Sequence, residues 1–217
     1  MRNIQASTRE NRIAERLIPF FREWGFTWLP HLHQFRQSTE RGFTCVILSV
    51  SDYGDSSLLE AHLGIRIDDV ENIAFPFTNG LPGFQPDSMT LATPLARLFG
   101  QAFERFEVSD ENSADEAVAA IRAQLQEKGL KFLRRYSSLE HMDALFNETP
   151  EEPLRLAHNQ ANRCFRAAVL ARLLPRRDFE SLAETYGRHL REELRVPAAT
   201  LEKYLRLISF LQHYSQN

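Results

Sequence analysis

Between Ser57 and Asp68 the chain alternates apolar and polar residues. Leu59, Ala61, Leu63, Ile65 and Ile67 are separated by Glu60, His62, Gly64 and Arg66. Successive side chains of a strand point to opposite faces, so this stretch predicts a strand with one packed face and one wet or functional face. Two neighbours extend it into a sheet. Residues 43–51, FTCVILSVS, are rich in β-branched residues and almost continuously apolar, the pattern of a central strand. Phe26, Trp28 and Leu32 alternate weakly through residues 26–37, where Pro30 argues for an edge position or a bulge. Polar turns at 38–42 and 53–56 join the three strands, which predicts an antiparallel meander. Residues 89–98 and 102–108 are candidates for a fourth and a fifth strand, the second of them equally readable as a short helix. Residues 68–77 are expected to hold about one helical turn, and 78–87, with two Gly and two Pro, a loop.

Helical periodicity brackets this sheet. Ile13, Leu17, Phe20, Phe21 and Trp24 share one face of a helix expected over 8–24. Ser7 and Glu10 have capping-box spacing, Pro19 should kink the helix, and Gly25 should end it. Ser113 and Glu116 have the same capping spacing, followed by a stripe of Ala114, Val118, Ile121 and Leu125 that Gly129 should stop. Ser137 or Ser138 caps a short helix carrying Met142, Leu145 and Phe146. Three helices are expected after that. One starts at Pro153 and is lined by Leu154, Ala157, Ala161, Cys164, Phe165 and Ala168. The next is lined by Phe179, Leu182, Ala183, Tyr186, Leu190 and Leu194. The last starts at Pro197 and is lined by Leu201, Tyr204, Leu205, Ile208 and Leu211. The Pro-flanked acidic stretch 149–153 reads as the boundary between an α+β domain at 1–150 and a helical part at 151–217 docked on it.

Charge adds one feature. The net charge is −3, but residues 1–152 hold 15 Lys and Arg against 23 Asp and Glu, whereas residues 153–217 hold 11 against 6. Opposite signs allow docking of the two parts or an acidic partner for the second, but a solvated basic helix face is the plainer reading. With 43% hydrophobic and 25% charged residues, 217 residues bury a core without staples. No run of about 18 apolar residues predicts a membrane span, and residues 1–12 lack the apolar core of a secretory signal. A cytoplasmic location follows as the expectation, with Cys45 and Cys164 as buried free thiols.

Candidate chemistry is sparse. In a strand, His31 and His33 would share a face roughly 6.5–7 Å apart. With His62 from the alternating strand they would make a divalent-metal site, and hence a small metal-dependent hydrolase. The bland alternative is three surface histidines. Asp52 and Asp55 suit a hairpin turn, and Asp68 and Asp69 suit a helix start. The spacings of a Ser-hydrolase elbow, a phosphate-binding Gly loop, a dinucleotide fingerprint and a Cys-x-x-Cys pair are all missing. Lys131, Arg134 and Arg135, and Arg172, Arg176 and Arg177, stand where cations stabilise helix C-termini. A pI near 6.2 gives no case for nucleic acid.

Trp24-Gly25-Phe26 ending the first helix, the strands to Ile67, and Gly129-Leu130-Lys131-Phe132-Leu133 before the 138–146 helix resemble a bacterial family of uncharacterised domains. The resemblance covers residues 8–147, and its motifs are short and apolar. It implies a role of the accessory or immunity-like kind and brings no catalytic residues. The sequence thus predicts an α+β protein with a mostly antiparallel sheet of four to five strands on helices, followed by three helices. It is expected to be a non-catalytic protein-binding module without cofactor, using Glu60, His62 and Arg66 on an open sheet face around Gly64. No oligomeric state is implied.

Overall fold

In a computed structural model, residues 4–78 and 80–214 are described, with side chains from residue 11 onward except Pro82. Helix α1, Ile4–Glu23, starts earlier than its pattern suggests. Ser7 and Glu10 therefore lie inside it, and their side chains fall outside the described residues. Ile13, Leu17, Phe20 and Phe21 are buried, as the helical spacing requires, while Trp24 is exposed. Gly25 ends the helix at φ +77°. Its N–H donates to Arg22 O and that of Phe26 to Phe21 O, which is a Schellman cap.

Among the described residues six strands form one sheet: β1 Thr27–Leu29, β2 Gln34–Thr39, β3 Gly42–Asp52, β4 Ser57–Ile67, β5 Leu91–Pro94 and β6 Phe106–Val108. The order is β1-β2-β3-β4-β5, and β6 also pairs with β4. The β1–β2, β2–β3 and β4–β6 pairs are antiparallel. Phe35 and Val46 are cross-strand partners and share a face. Phe35 stacks on Phe21 of α1 with centroids 4.0 Å apart. On β4, Leu59, Ala61, Leu63, Ile65 and Ile67 are all buried, as the alternation predicts.

Helix α3, Glu111–Gln124, is capped one turn before the expected position. Asp110 accepts from Ser113 N, and Ser113 Oγ accepts from Asp110 N, so Ser113 closes the capping box from within the helix. Ala114, Val118, Ile121 and Leu125 are buried as expected. Gly129 does not stop the helix. The chain passes through a π-turn at Leu125–Gly129 into α4, Leu130–Tyr136. A Cβ on Gly129 would lie 2.9 Å from Leu125 Cδ2 and 3.2 Å from Leu95 Cδ1, so the residue is small because side chains occupy that space.

The remaining helices are α2 Asp68–Ala74, α5 Leu139–Asn147, α6 Gln160–Leu173, α7 Phe179–Arg188 and α8 Ala198–His213. Ser138 caps α5 by accepting from His141 N. Helix α6 begins seven residues after Pro153, with Asn159 as its cap. The intervening chain is irregular because the Gln160 amide binds Leu154 N, Leu154 O and Ala157 O. On α8 the buried residues are Tyr204, Leu207 and Leu211, so the packed stripe is rotated away from Leu205. Cys45 and Cys164 are buried and are not joined in a disulfide.

These elements divide into two compact units. The first is Met1–Ile65 with Ala92–Arg135, holding the sheet with α1, α3 and α4. The second is Arg66–Leu91 with Tyr136–Asn217, holding α2 and α5–α8. The chain enters the second unit at the end of β4 and returns at β5. The acidic stretch 149–153 lies inside the second unit. There the buried Arg163 donates to Phe146 O at 2.9 Å, to Thr149 O at 3.1 Å and to Glu152 O. The charge asymmetry dissolves along this division: 14 basic face 14 acidic residues in the first unit, and 12 face 15 in the second. Among the described residues no helix is long and apolar enough to cross a membrane.

Candidate binding face on the sheet

The strand that organises the sheet also displays the candidate site. Strand β6 pairs with β4 through Ser57↔Val108, Leu58↔Glu107 and Leu59↔Phe106. Continued one step, this register sets Arg105 opposite Glu60, and there Arg105 Nε donates to Glu60 Oε1. The second carboxylate oxygen of Glu60 lies 3.2 Å from His62 Nε2, two residues along the same face. One carboxylate thus bridges an imidazole and a guanidinium. The hydrogen bond and charge of Glu60 raise the Arg105 pKa above its ordinary value, and the Tyr53 phenol acts in the same direction.

Two aromatics flank this row. The Arg105 guanidinium sits 4.9 Å above the Phe103 ring, which is 58% exposed. Tyr53, 68% exposed, occupies the β3–β4 turn. The turn is held by Tyr53 N donating to Ser56 O and by Gly54 N donating to Asp52 Oδ1. Gly54 takes φ +89°, the left-handed region that glycine enters freely. Asp52 is therefore a turn residue, as its position predicted.

Arg66 does not join this row. It is 5% exposed, and its guanidinium is surrounded. Nε donates to Asp68 Oδ1 at 2.5 Å; Nη1 donates to Gln85 O at 2.6 Å, Ser88 O at 3.0 Å and Ser88 Oγ at 2.7 Å; Nη2 donates to Asn72 Oδ1 at 3.3 Å. Gly64 is buried as well, so the open part of the β4 face ends at His62. The reason is topological: Arg66 already belongs to the second unit, where the turn Pro82–Asp87 folds its carbonyls onto the guanidinium. Arg66→Ala should lower stability by about 1–2 kcal/mol, because the part-buried Gln85 and Ser88 carbonyls lose their charged donor. Proteolysis should then begin within residues 80–90. An unchanged first cleavage site would contradict the clamp.

The histidines expected to bind metal sit in different local settings. His31 lies in the 3₁₀ turn Pro30–Leu32, and His33 takes φ 54°. The two do not line a strand face, because Pro30 starts a turn where an extended chain was expected. Among the described residues no group of three or more His, Cys, Asp or Glu is placed to hold a metal ion. Glu60 orients His62 as a carboxylate orients a general base, but the thiols lie elsewhere. Cys45 is buried, and burial pushes the Cys164 thiol up to about 12, so Cys164 stays protonated at neutral pH.

No family model, curated protein or solved structure matches the chain. Function must therefore be read from this face itself. Of its members, Glu60 and His62 were visible as the polar side of an alternating strand. Arg105, Phe103 and Tyr53 were not singled out, since only the β4–β6 register sets Arg105 against Glu60.

Proposed function

We propose that the chain is a non-catalytic protein-binding module of the immunity-like kind, working in a bacterial cytoplasm, and that the outward face of β4 and β6 is its contact surface. The observation that supports this is the linked row of Phe103, Arg105, Glu60 and His62, with Tyr53 exposed in the β3–β4 turn and its phenol acting on Arg105. Tyr, other aromatics and Arg dominate binding energy at interfaces, and here two of them stand exposed while the third lies across a ring. The sheet supports the Glu60, His62 and Arg105 positions, which lowers the cost of ordering them on association.

The test is differential retention. Immobilised wild-type protein and a Tyr53→Ala/Phe103→Ala/Arg105→Glu variant are exposed to extract of the source cells. All three positions are exposed or partly so, and melting should change little, within about 1 kcal/mol. The wild type should retain a specific partner, and the variant should bind it about 30-fold more weakly, the effect of losing about 2 kcal/mol at a hot spot. Equal retention by both proteins would overturn the assignment of this face.

A further inference from the structure

The second unit carries a groove of about 650 Å³ between α7 and α8. Its floor is apolar and shallow: Ala183 and Gly187 of α7, one turn apart, lie beside Leu205 and Ile208 of α8. Tyr204 locks the two helices beneath it, its hydroxyl donating to Ala183 O at 2.9 Å. Leu205 is 52% exposed, a large apolar side chain on the side of α8 turned away from the buried Tyr204, Leu207 and Leu211 stripe. At the middle of α7 the groove therefore offers little side-chain bulk and uncovered apolar surface.

The charges along this groove are ordered. Glu180 and Glu184 line α7 from its first turn to its middle, and Arg188 at its last position and Arg191 in the π-turn His189–Glu193 that follows line the other end. With a rise of 1.5 Å per residue, Glu180 and Arg188 are roughly 12 Å apart along the axis. Such a row, turned end for end, meets its own opposite. In a two-fold interface each patch contacts the same patch of its partner reversed, so self-complementarity of this kind is what the symmetry demands. A two-fold axis between Ala183 and Gly187 would let two α7 helices approach where they are thinnest and set each acidic half over the other's basic end. Glu192, beside Arg191, makes the basic end mixed and keeps the attraction moderate. Arg188 now pairs with Glu151 at 3.2 Å and Glu180 with Gln212 at 3.2 Å. These are exposed contacts of the kind that contribute little and exchange readily.

We infer that the α7–α8 groove is the contact surface between two copies of this chain, which associate as an antiparallel two-fold dimer. The surface shares no residue with the β4–β6 face, so its failure would leave the proposed binding role standing. A partner of a different sequence would have no reason to show this reversed charge order.

Sedimentation equilibrium of the full chain tests the inference with a charge swap. Glu180→Arg/Glu184→Arg sets Arg against Arg across the axis, and Arg188→Glu/Arg191→Glu sets Glu against Glu. The wild type should sediment as a dimer and each variant alone as a monomer of half the mass. An equimolar mixture of the two variants should recover the dimer, because each supplies the charge the other lacks. Leu205→Glu, at an exposed position, should abolish dimerisation and leave a folded monomer whose melting no longer depends on protein concentration. A monomeric wild type would overturn the inference and leave the groove to another partner or to solvent. Dimers that persist in both charge variants would place the contact elsewhere and overturn it equally.

Discussion

Glu71→Ala should destabilise the second unit by about 3–5 kcal/mol, the cost of leaving a buried charge without its partner. Glu71 on α2 is fully buried, and Arg166 on α6 is nearly so. The two meet in a bidentate pair, Nε to Oε1 at 2.7 Å and Nη2 to Oε2 at 2.9 Å. The planar fork of Arg fits a carboxylate in this way, and both ions were taken out of water to form the pair. Removing the carboxylate keeps the desolvation of the guanidinium and loses its compensation. Removing both charges together restores an apolar contact, so Glu71→Leu/Arg166→Met should recover most of the loss. Denaturant titration at constant m-value reads both effects. A single substitution costing less than about 1 kcal/mol would mean that the pair is not desolvated as its burial indicates.

Phe21→Ala should cost a similar amount in the first unit, about 3–5 kcal/mol from lost transfer energy and the cavity left behind. Phe21 is fully buried where α1 meets the sheet. Its ring stacks on Phe35 at an interplanar angle of 18°, with Phe20 at 5.2 Å and Phe26 at 5.5 Å. Native-state hydrogen exchange should show lost protection in α1, β2 and β3. Loss confined to α6–α8 would mean that the helix and the sheet do not share this core.

The sheet was legible because its signal is periodic. Alternation in β4, the apolar run of β3 and the helical stripe of α1 each follow from burial of one face, and each is present. The unexpected features are set by single contacts that periodicity does not encode. Gly129 reads as a helix stop, but Leu95 and Leu125 fill its space inside a continuous helix. Pro153 reads as a helix start, but the Gln160 amide holds the following chain in loops. On α8 two apolar stripes compete, and only packing chooses Leu207 over Leu205. The same limit applies to the site. Glu60, His62 and Arg66 alternate correctly along one strand, yet Arg66 is wrapped by residues some twenty positions away. The partner of Glu60 is Arg105, which a strand-by-strand reading cannot supply.

The claim that the β4–β6 face binds a protein is tested most directly by hydrogen exchange of the chain with and without the partner it retains. Exchange should slow in the turn at residues 52–56 and in residues 101–105 leading into β6. It should be unchanged in the 80–90 segment clamped by Arg66. Protection that appears only outside the β4–β6 face, with residues 52–56 and 101–105 exchanging as in the free protein, would contradict it.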